Sequence, residues 1–165
     1  MVGLPSIPLP TQFPRTYEVK WFEQQTDHFN VLQPFNAATQ KPNTWQQRYL
    51  WNDTYWGGAD AKAPIIFYTG AEGSGVPAIW DHSGWIVSTL AKELNALVIF
   101  AEHRYFGASF PFNNTACELS PKFDGECESS FWPTAARLGL LDEDQTLADY
   151  AGLLAFIKDE QKASV

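Results

Sequence analysis

The chain has 165 residues, of which 45% are hydrophobic and 15% aromatic. That is enough apolar material for one packed core and far too much for an acidic disordered tail. A formal net charge of -8, from 19 Asp and Glu against 11 Lys and Arg, disfavours a phosphate-binding surface, which needs clustered cations. Nucleic acid is therefore excluded as a partner, and no apolar run reaches the length of a membrane span.

Residues 1–16, "MVGLPSIPLPTQFPRT", are spaced with prolines and read as an extended arm ahead of a domain over 17–165. They show no basic start followed by a continuous hydrophobic segment, so no signal peptide is evident. "YEVKWFEQ" (17–24) and "TWQQRYLWN" (44–52) mix alternation with aromatic and β-branched residues and predict two strands. The loop "PFNAATQKPN" separates them. "APIIFYTG" (63–70) is a continuous apolar run closed by glycine, as expected of a strand buried on both faces. After the glycine-rich "AEGSGVP", the segment "GWIVSTLAKELN" (84–95) predicts a helix with Ile86, Leu90 and Leu94 on one face. "ALVIFAE" (96–102) predicts a second buried strand.

An irregular stretch follows over 106–141. "DEDQTLADYAGLLAFIKDEQK" (142–162) is then the clearest helix, with Asp142 and Gln145 as a capping box. Leu147, Tyr150, Ala151, Leu154 and Ile157 are expected to line one face, with Lys158 and Lys162 opposing the dipole at its end. Two apolar strands joined by a helix make a βαβ unit with a parallel pair, so the fold class is α/β with a mixed sheet. A doubly wound sheet continues with another strand after such a helix, and none is read after 162.

Cys117 and Cys127 are the only cysteines. Their closeness in a loop-like acidic segment suits a local disulfide, the alternative being two free thiols. Asn52 and Asn113 begin glycosylation sequons in polar, turn-rich contexts. Together these features point to the secretory route.

Candidate nucleophiles fail on their frames. Ser109 lies in Gly107-Ala108-Ser109-Phe110-Pro111, with proline where a nucleophile elbow has glycine and no helix pattern after it. Ser74 and Ser83 lack the framing glycines. His28, His82 and His103 are possible bases in principle. Glu102, His103 and Arg104 read better as a buried polar anchor for the loop that follows. No metal spacing occurs, and the glycines of "TGAEGSG" lack the lysine of a phosphate loop, so no cofactor is expected. A better use for that loop is backbone donation. In α/β hydrolases one oxyanion-hole N–H comes from the loop between the third strand and the first helix, and "IIFYTG-AEGSG" occupies that place. The amides of Ala71 and Glu72 are the expected donors, an ordinary glycine turn being the alternative.

Several stretches carry a family resemblance in order: "QQTDHFN" (24–30), "WQQRYLWNDTYW" (45–56), "PIIFYTGAEGSG" (64–75), "LVIFAEHRYFGASFPF" (97–112) and "DEDQTLADYAGLLAFIK" (142–158). Together they resemble the N-terminal part of the prolyl-specific serine exopeptidase family of lysosomal Pro-X carboxypeptidase, dipeptidyl peptidase II and thymus-specific serine protease. The resemblance implies an α/β-hydrolase fold with an inserted helical domain, and a Ser-Asp-His triad acting on peptides with proline near the scissile bond, in lysosomes, vacuoles or outside cells. It places the nucleophile in a Gly-x-Ser-Tyr-Gly-Gly motif on the strand after the "LADYA" helix, with aspartate and histidine later still. No catalytic residue therefore falls within these residues, and the sheet is expected to stop before the nucleophile strand. What the resemblance carries over is Gly70, Ala71, Glu72 and Gly73, as the oxyanion contact and part of the substrate-facing wall. The chain is expected to be inactive alone. The rival expectations are a non-catalytic binding or homodimerisation module and, more remotely, a nucleotide-binding βαβ unit.

Overall fold

The computed structural model describes residues 13–31, 35–36, 41–111 and 139–162. The strands are β1 (Glu18–Gln25), β2 (Phe35–Asn36), β3 (Lys41–Pro42), β4 (Thr44–Asn52), β5 (Ile65–Thr69) and β6 (Leu97–Ala101). Helix α1 (Val76–Ser83) is followed by a π-helical segment (Ile86–Ala91) and the short α2 (Lys92–Leu94). Helix α3 (Glu143–Glu160) comes last.

β1, β4, β6 and β5 form one sheet in that order, and β2 pairs with β3 as a separate small hairpin. β1 runs antiparallel to β4, with Glu18 opposite Trp51 and Gln25 opposite Thr44. β4 is antiparallel to β6, whereas β5 and β6 are parallel, with Ile65 opposite Leu97. The expected βαβ unit is thus present in a mixed sheet.

β6 lies inside the sheet and every residue of it is buried. Its alternation serves two cores. Val98 and Phe100 join Leu50, Val76, Trp80, Ile86 and Val87 under α1 and the π segment. Leu97, Ile99 and Ala101 join Tyr49, Trp51, Tyr150, Leu153 and Ile157 under α3. The result is a sheet sandwiched between helical layers, each side chain of Trp80 or Phe100 size contributing roughly 1.5–3 kcal/mol by leaving water.

Three expectations need correction. β5 is not buried on both faces: Ile65 to Tyr68 are half-buried and Thr69 is exposed, and β5 is an edge strand of this sheet among the described residues. The first helix begins at Val76, with Pro77 in its first turn, where a missing N–H costs nothing. The expected face Ile86–Leu90–Leu94 does not form. π-winding brings residues five apart into step, so Ile86, Val87 and Ala91 are buried while Leu94 is exposed.

The third correction concerns α3. Asp142 caps it as expected, its Oδ1 accepting from Asp144 N at 2.7 Å and Gln145 N at 3.4 Å. The Gln145 side chain does not close the box; it donates to Asp27 at 2.8 Å and accepts from His28 N at 2.9 Å. The buried face is therefore Gln145, Thr146, Asp149, Tyr150, Leu153 and Ile157, and Leu147 is 62% exposed.

Residues 13–16 of the expected arm lie along α1. Phe13 N donates to Asp81 O, Trp80 Nε1 donates to Pro14 O, and Arg15 forms a bidentate pair with Asp81 at 2.9 and 2.7 Å. A Cβ on Gly84 would lie 2.2 Å from Phe13, so only glycine lets this strap sit down.

Candidate functional site

β5 and β6 end at the same edge of the sheet, and the loops that leave them are held by an unusual density of buried polar groups. Residues 70–75 leave β5. Gly70 N donates to Ala101 O at 2.7 Å, an approach so close that a Cβ would sit 2.6 Å from that oxygen. The Gly70 carbonyl accepts from the Tyr150 hydroxyl at 2.7 Å. At the far end, Val76 N donates to Glu102 Oε1 at 3.1 Å. Between these two fixed points Ala71, Glu72 and Gly73 are exposed. Gly73 has φ +105°, a conformation that favours glycine.

The second loop, after β6, is organised by Glu102, which is 1% exposed. Its Oε1 also accepts from Arg48 Nη2 at 2.6 Å, and its Oε2 accepts from Arg48 Nε at 3.1 Å, Ala108 N at 2.9 Å and Ser109 Oγ at 2.8 Å. Gly107, at φ +59°, leaves room for that carboxylate: a Cβ would lie 1.9 Å from Oε1. Tyr105 takes φ +67°, a left-handed conformation costing roughly 1–2 kcal/mol for a non-glycine residue. It is held there by its own N–H donating to Ser109 O at 2.7 Å.

Arg104 is the other centre. Fully buried, it pairs with both oxygens of Asp149 at 2.7 Å and donates to Leu140 O at 2.9 Å and Thr26 O at 3.3 Å. Asp149 in turn contacts His28 Nε2 at 2.8 Å. Gln24 and Gln47 link the centres: Gln24 donates to Gln47 and to Asp149 O, and Gln47 donates to Glu102 O. Removing either partner of the Arg104–Asp149 pair would strand a charge in the interior, which is why such pairs pin one geometry.

Among the described residues no serine hydroxyl is hydrogen-bonded to an imidazole. Ser109 Oγ donates to Glu102 and accepts from Arg48 N at 2.9 Å, and the residue is 0% exposed. It is a loop brace. His28 faces Asp149, His103 Nδ1 faces Arg104 O at 2.7 Å, and His82 is exposed on α1. Among the described residues no group of His, Cys, Asp and Glu is placed to hold a metal ion. Burial pushes the Tyr150 phenol well above its usual value, with Asp149 and Glu102 adding to the effect, so the hydroxyl facing Gly70 stays a donor.

The candidate residues Gly70, Ala71, Glu72 and Gly73 thus share one loop, its first residue buried and the rest exposed. Of the anchor read from the sequence, Glu102 and Arg104 are buried centres and His103 is half-buried; local pattern did not indicate that Arg48 and Asp149 are their partners or that the Tyr150 hydroxyl holds Gly70. Asn52 is 3% exposed, and its side-chain amide donates to Thr16 O. Asn113, Cys117 and Cys127 lie outside the described residues.

The class this defines is a mixed α/β domain whose constrained loops gather beyond the carboxyl ends of parallel strands, where open α/β sheets bind their ligands. The family model described as Serine carboxypeptidase S28 matches residues 24–164, and the chain belongs to that family. Similar proteins include a lysosomal Pro-X carboxypeptidase of Homo sapiens, 36% identical over 157 residues, covering 90% of this chain and 25% of its own length. A serine protease of Bipolaris victoriae (strain FI3) is 34% identical over 134 residues, covering 78% of this chain and 19% of its own. A prolyl carboxy peptidase like protein of Caenorhabditis elegans is 35% identical over 114 residues, covering 69% and 18%. The chain therefore spans about a quarter or less of the length of these relatives.

Proposed function

We propose that these residues form the N-terminal part of a serine-type exopeptidase that hydrolyses peptide bonds next to proline, of the Pro-X carboxypeptidase type that the relatives' names describe. The observation that carries the reading is the 70–75 loop, pinned at Gly70 and at Val76 with Ala71, Glu72, Gly73 and Ser74 exposed. Such a loop offers preset amides, chiefly Ala71 N–H, to the oxyanion that develops when a serine attacks a peptide carbonyl. The serine, histidine and aspartate of the triad are supplied by sequence outside these residues. Serine attacks, histidine moves its proton to the leaving amine, and the Ala71 region holds the tetrahedral oxygen. Alone, the chain is inactive. The working compartment is the lysosome or the cell exterior.

Reading the coding sequence past the codon for Val165 tests this. The frame is expected to continue into a Gly-x-Ser-Tyr-Gly-Gly motif, and the protein expressed with that continuation should cleave proline-containing peptides. Ala71→Pro, which removes the amide proton, should then lower kcat by about a hundredfold or more with little change in KM, while Ala71→Ser keeps full activity. A continuation without the motif, or turnover indifferent to Ala71→Pro, would overturn the proposal.

One observation favours a second reading, a binding or dimerisation module. Among the described residues β5 is an edge strand, with Ile65 to Tyr68 half-buried and Thr69 exposed, and an unpaired strand edge is a template for another chain. Sedimentation of the purified chain showing a concentration-dependent dimer would support it; a monomer at all concentrations would remove it.

A further inference from the structure

The hydrogen bonds at Gly70 fix more than the position of one residue. Its N–H is taken by Ala101 O and its carbonyl by the Tyr150 hydroxyl, both at 2.7 Å. No described peptide bond is cis, and in a trans peptide the carbonyl and the following N–H point in opposite directions. With the Gly70 carbonyl turned to Tyr150 in α3, the Ala71 N–H is turned away from that helix, on a residue that is exposed. We propose that Tyr150 is a positioning residue: its hydroxyl locks the peptide plane between Gly70 and Ala71 and so aims the Ala71 amide at the oxyanion.

Tyr150 is built for this. Its ring meets Phe67 edge-on at 6.0 Å and His103 at 6.5 Å. Its neighbour Asp149 is clamped by Arg104 and contacted by His28, so the helix cannot slide at this point without breaking a buried ion pair. The residue it holds is a glycine, the type with the most backbone freedom to lose. A peptide plane held in advance needs no reorganisation when charge develops on the substrate. The proposal rests on the reading of Ala71 as an oxyanion donor.

Two measurements separate it from that reading. In isotope-labelled 165-residue chain, Tyr150→Phe should move the Gly70 carbonyl carbon upfield and lower the order of the Ala71 amide. A ring-fluorinated tyrosine at position 150, a stronger donor of nearly the same shape, should move the carbonyl downfield; it decides the matter alone if the phenylalanine variant does not fold. Unchanged Gly70 and Ala71 signals in a folded variant overturn the positioning role. In the enzyme expressed with its continuation, Tyr150→Phe should lower kcat roughly fivefold, the scale of one net hydrogen bond, with KM unchanged, and para-aminophenylalanine should restore it. Altered signals with an unchanged kcat would refute the oxyanion reading while leaving Tyr150's hold on the loop; a lower kcat with unaltered signals would refute the hold and spare the reading.

Discussion

Replacing Glu102 by Gln changes one oxygen into an NH2 group and removes a charge, at a residue that is 1% exposed. Whichever oxygen is replaced, the new donor meets donors. On the Oε1 side stand Arg48 Nη2 and Val76 N; on the Oε2 side stand Arg48 Nε, Ala108 N and Ser109 Oγ. The substitution therefore leaves at least a pair of buried donors unmatched, each costing about 1–3 kcal/mol. It also deprives Arg48 of its counter-charge, and breaking a buried pair costs about 3–5 kcal/mol. The Arg48 side chain is 16% exposed and keeps some hydration, which places the cost of the broken pair alone near its lower end, about 3 kcal/mol. With a urea slope of about 1–3 kcal/mol per molar, the unfolding midpoint should fall by about 1 M or more, followed by fluorescence of the seven tryptophans. Adding Arg48→Met should recover part of the loss, since both charges are then gone. A Glu102→Gln midpoint within experimental error of wild type would refute the idea that this carboxylate ties the loops together.

Gly107→Ala and Gly58→Ala both place a side chain at positive φ, but the first drives a Cβ to 1.9 Å from Glu102 whereas the second meets nothing within 4 Å. In thermal melts Gly58→Ala should cost about 1–2 kcal/mol and Gly107→Ala clearly more; equal losses would deny the close approach. Burial raises the phenols of Tyr17, Tyr49 and Tyr150 above their ordinary value. The stability tied to these raised groups is intact below about pH 10 and is lost as pH rises towards the folded-state values. Urea midpoints should decline in that range, and less steeply in Tyr150→Phe. The hydrogen bond from Arg15 holds the Asp81 carboxyl below its ordinary value, so its stabilisation is present above about pH 4 and fades as pH falls further. Arg15→Ala should flatten that acid limb, and the wild-type limb should shrink in high salt because Arg15 is largely exposed.

What the sequence disclosed was what short-range chemistry encodes. The apolar runs of β5 and β6, their parallel pairing and the Asp142 cap follow from periodicity and local hydrogen-bonding rules. The failures share a cause: tertiary partners overrode the local pattern. Leu147 would face the core if α3 packed by hydrophobicity alone, but Asp149 goes to Arg104 and Gln145 goes to Asp27, and the helix rotates to serve them. The π-winding at Ile86–Ala91 re-phases a face that a period of four residues would have put at Leu90 and Leu94. Ser109 lacks the glycine frame of a nucleophile elbow, and in the structure it is buried with its hydroxyl on Glu102. Tyr150 is legible as a core-face residue of the last helix, but its bond to Gly70, like that of Arg48 to Glu102, is not, because each acts on a residue far away in the chain.

A biotinylated fluorophosphonate, which reacts only with activated serines, discriminates most directly. Incubated with the purified 165-residue chain and followed by peptide mass spectrometry, it should label no serine, while the protein expressed with its continuation should label at one serine beyond Val165. Labelling of Ser109, Ser74 or Ser83 in the short chain, or peptide turnover by it that Ser109→Ala abolishes, would contradict the assignment of these residues to scaffold and oxyanion loop.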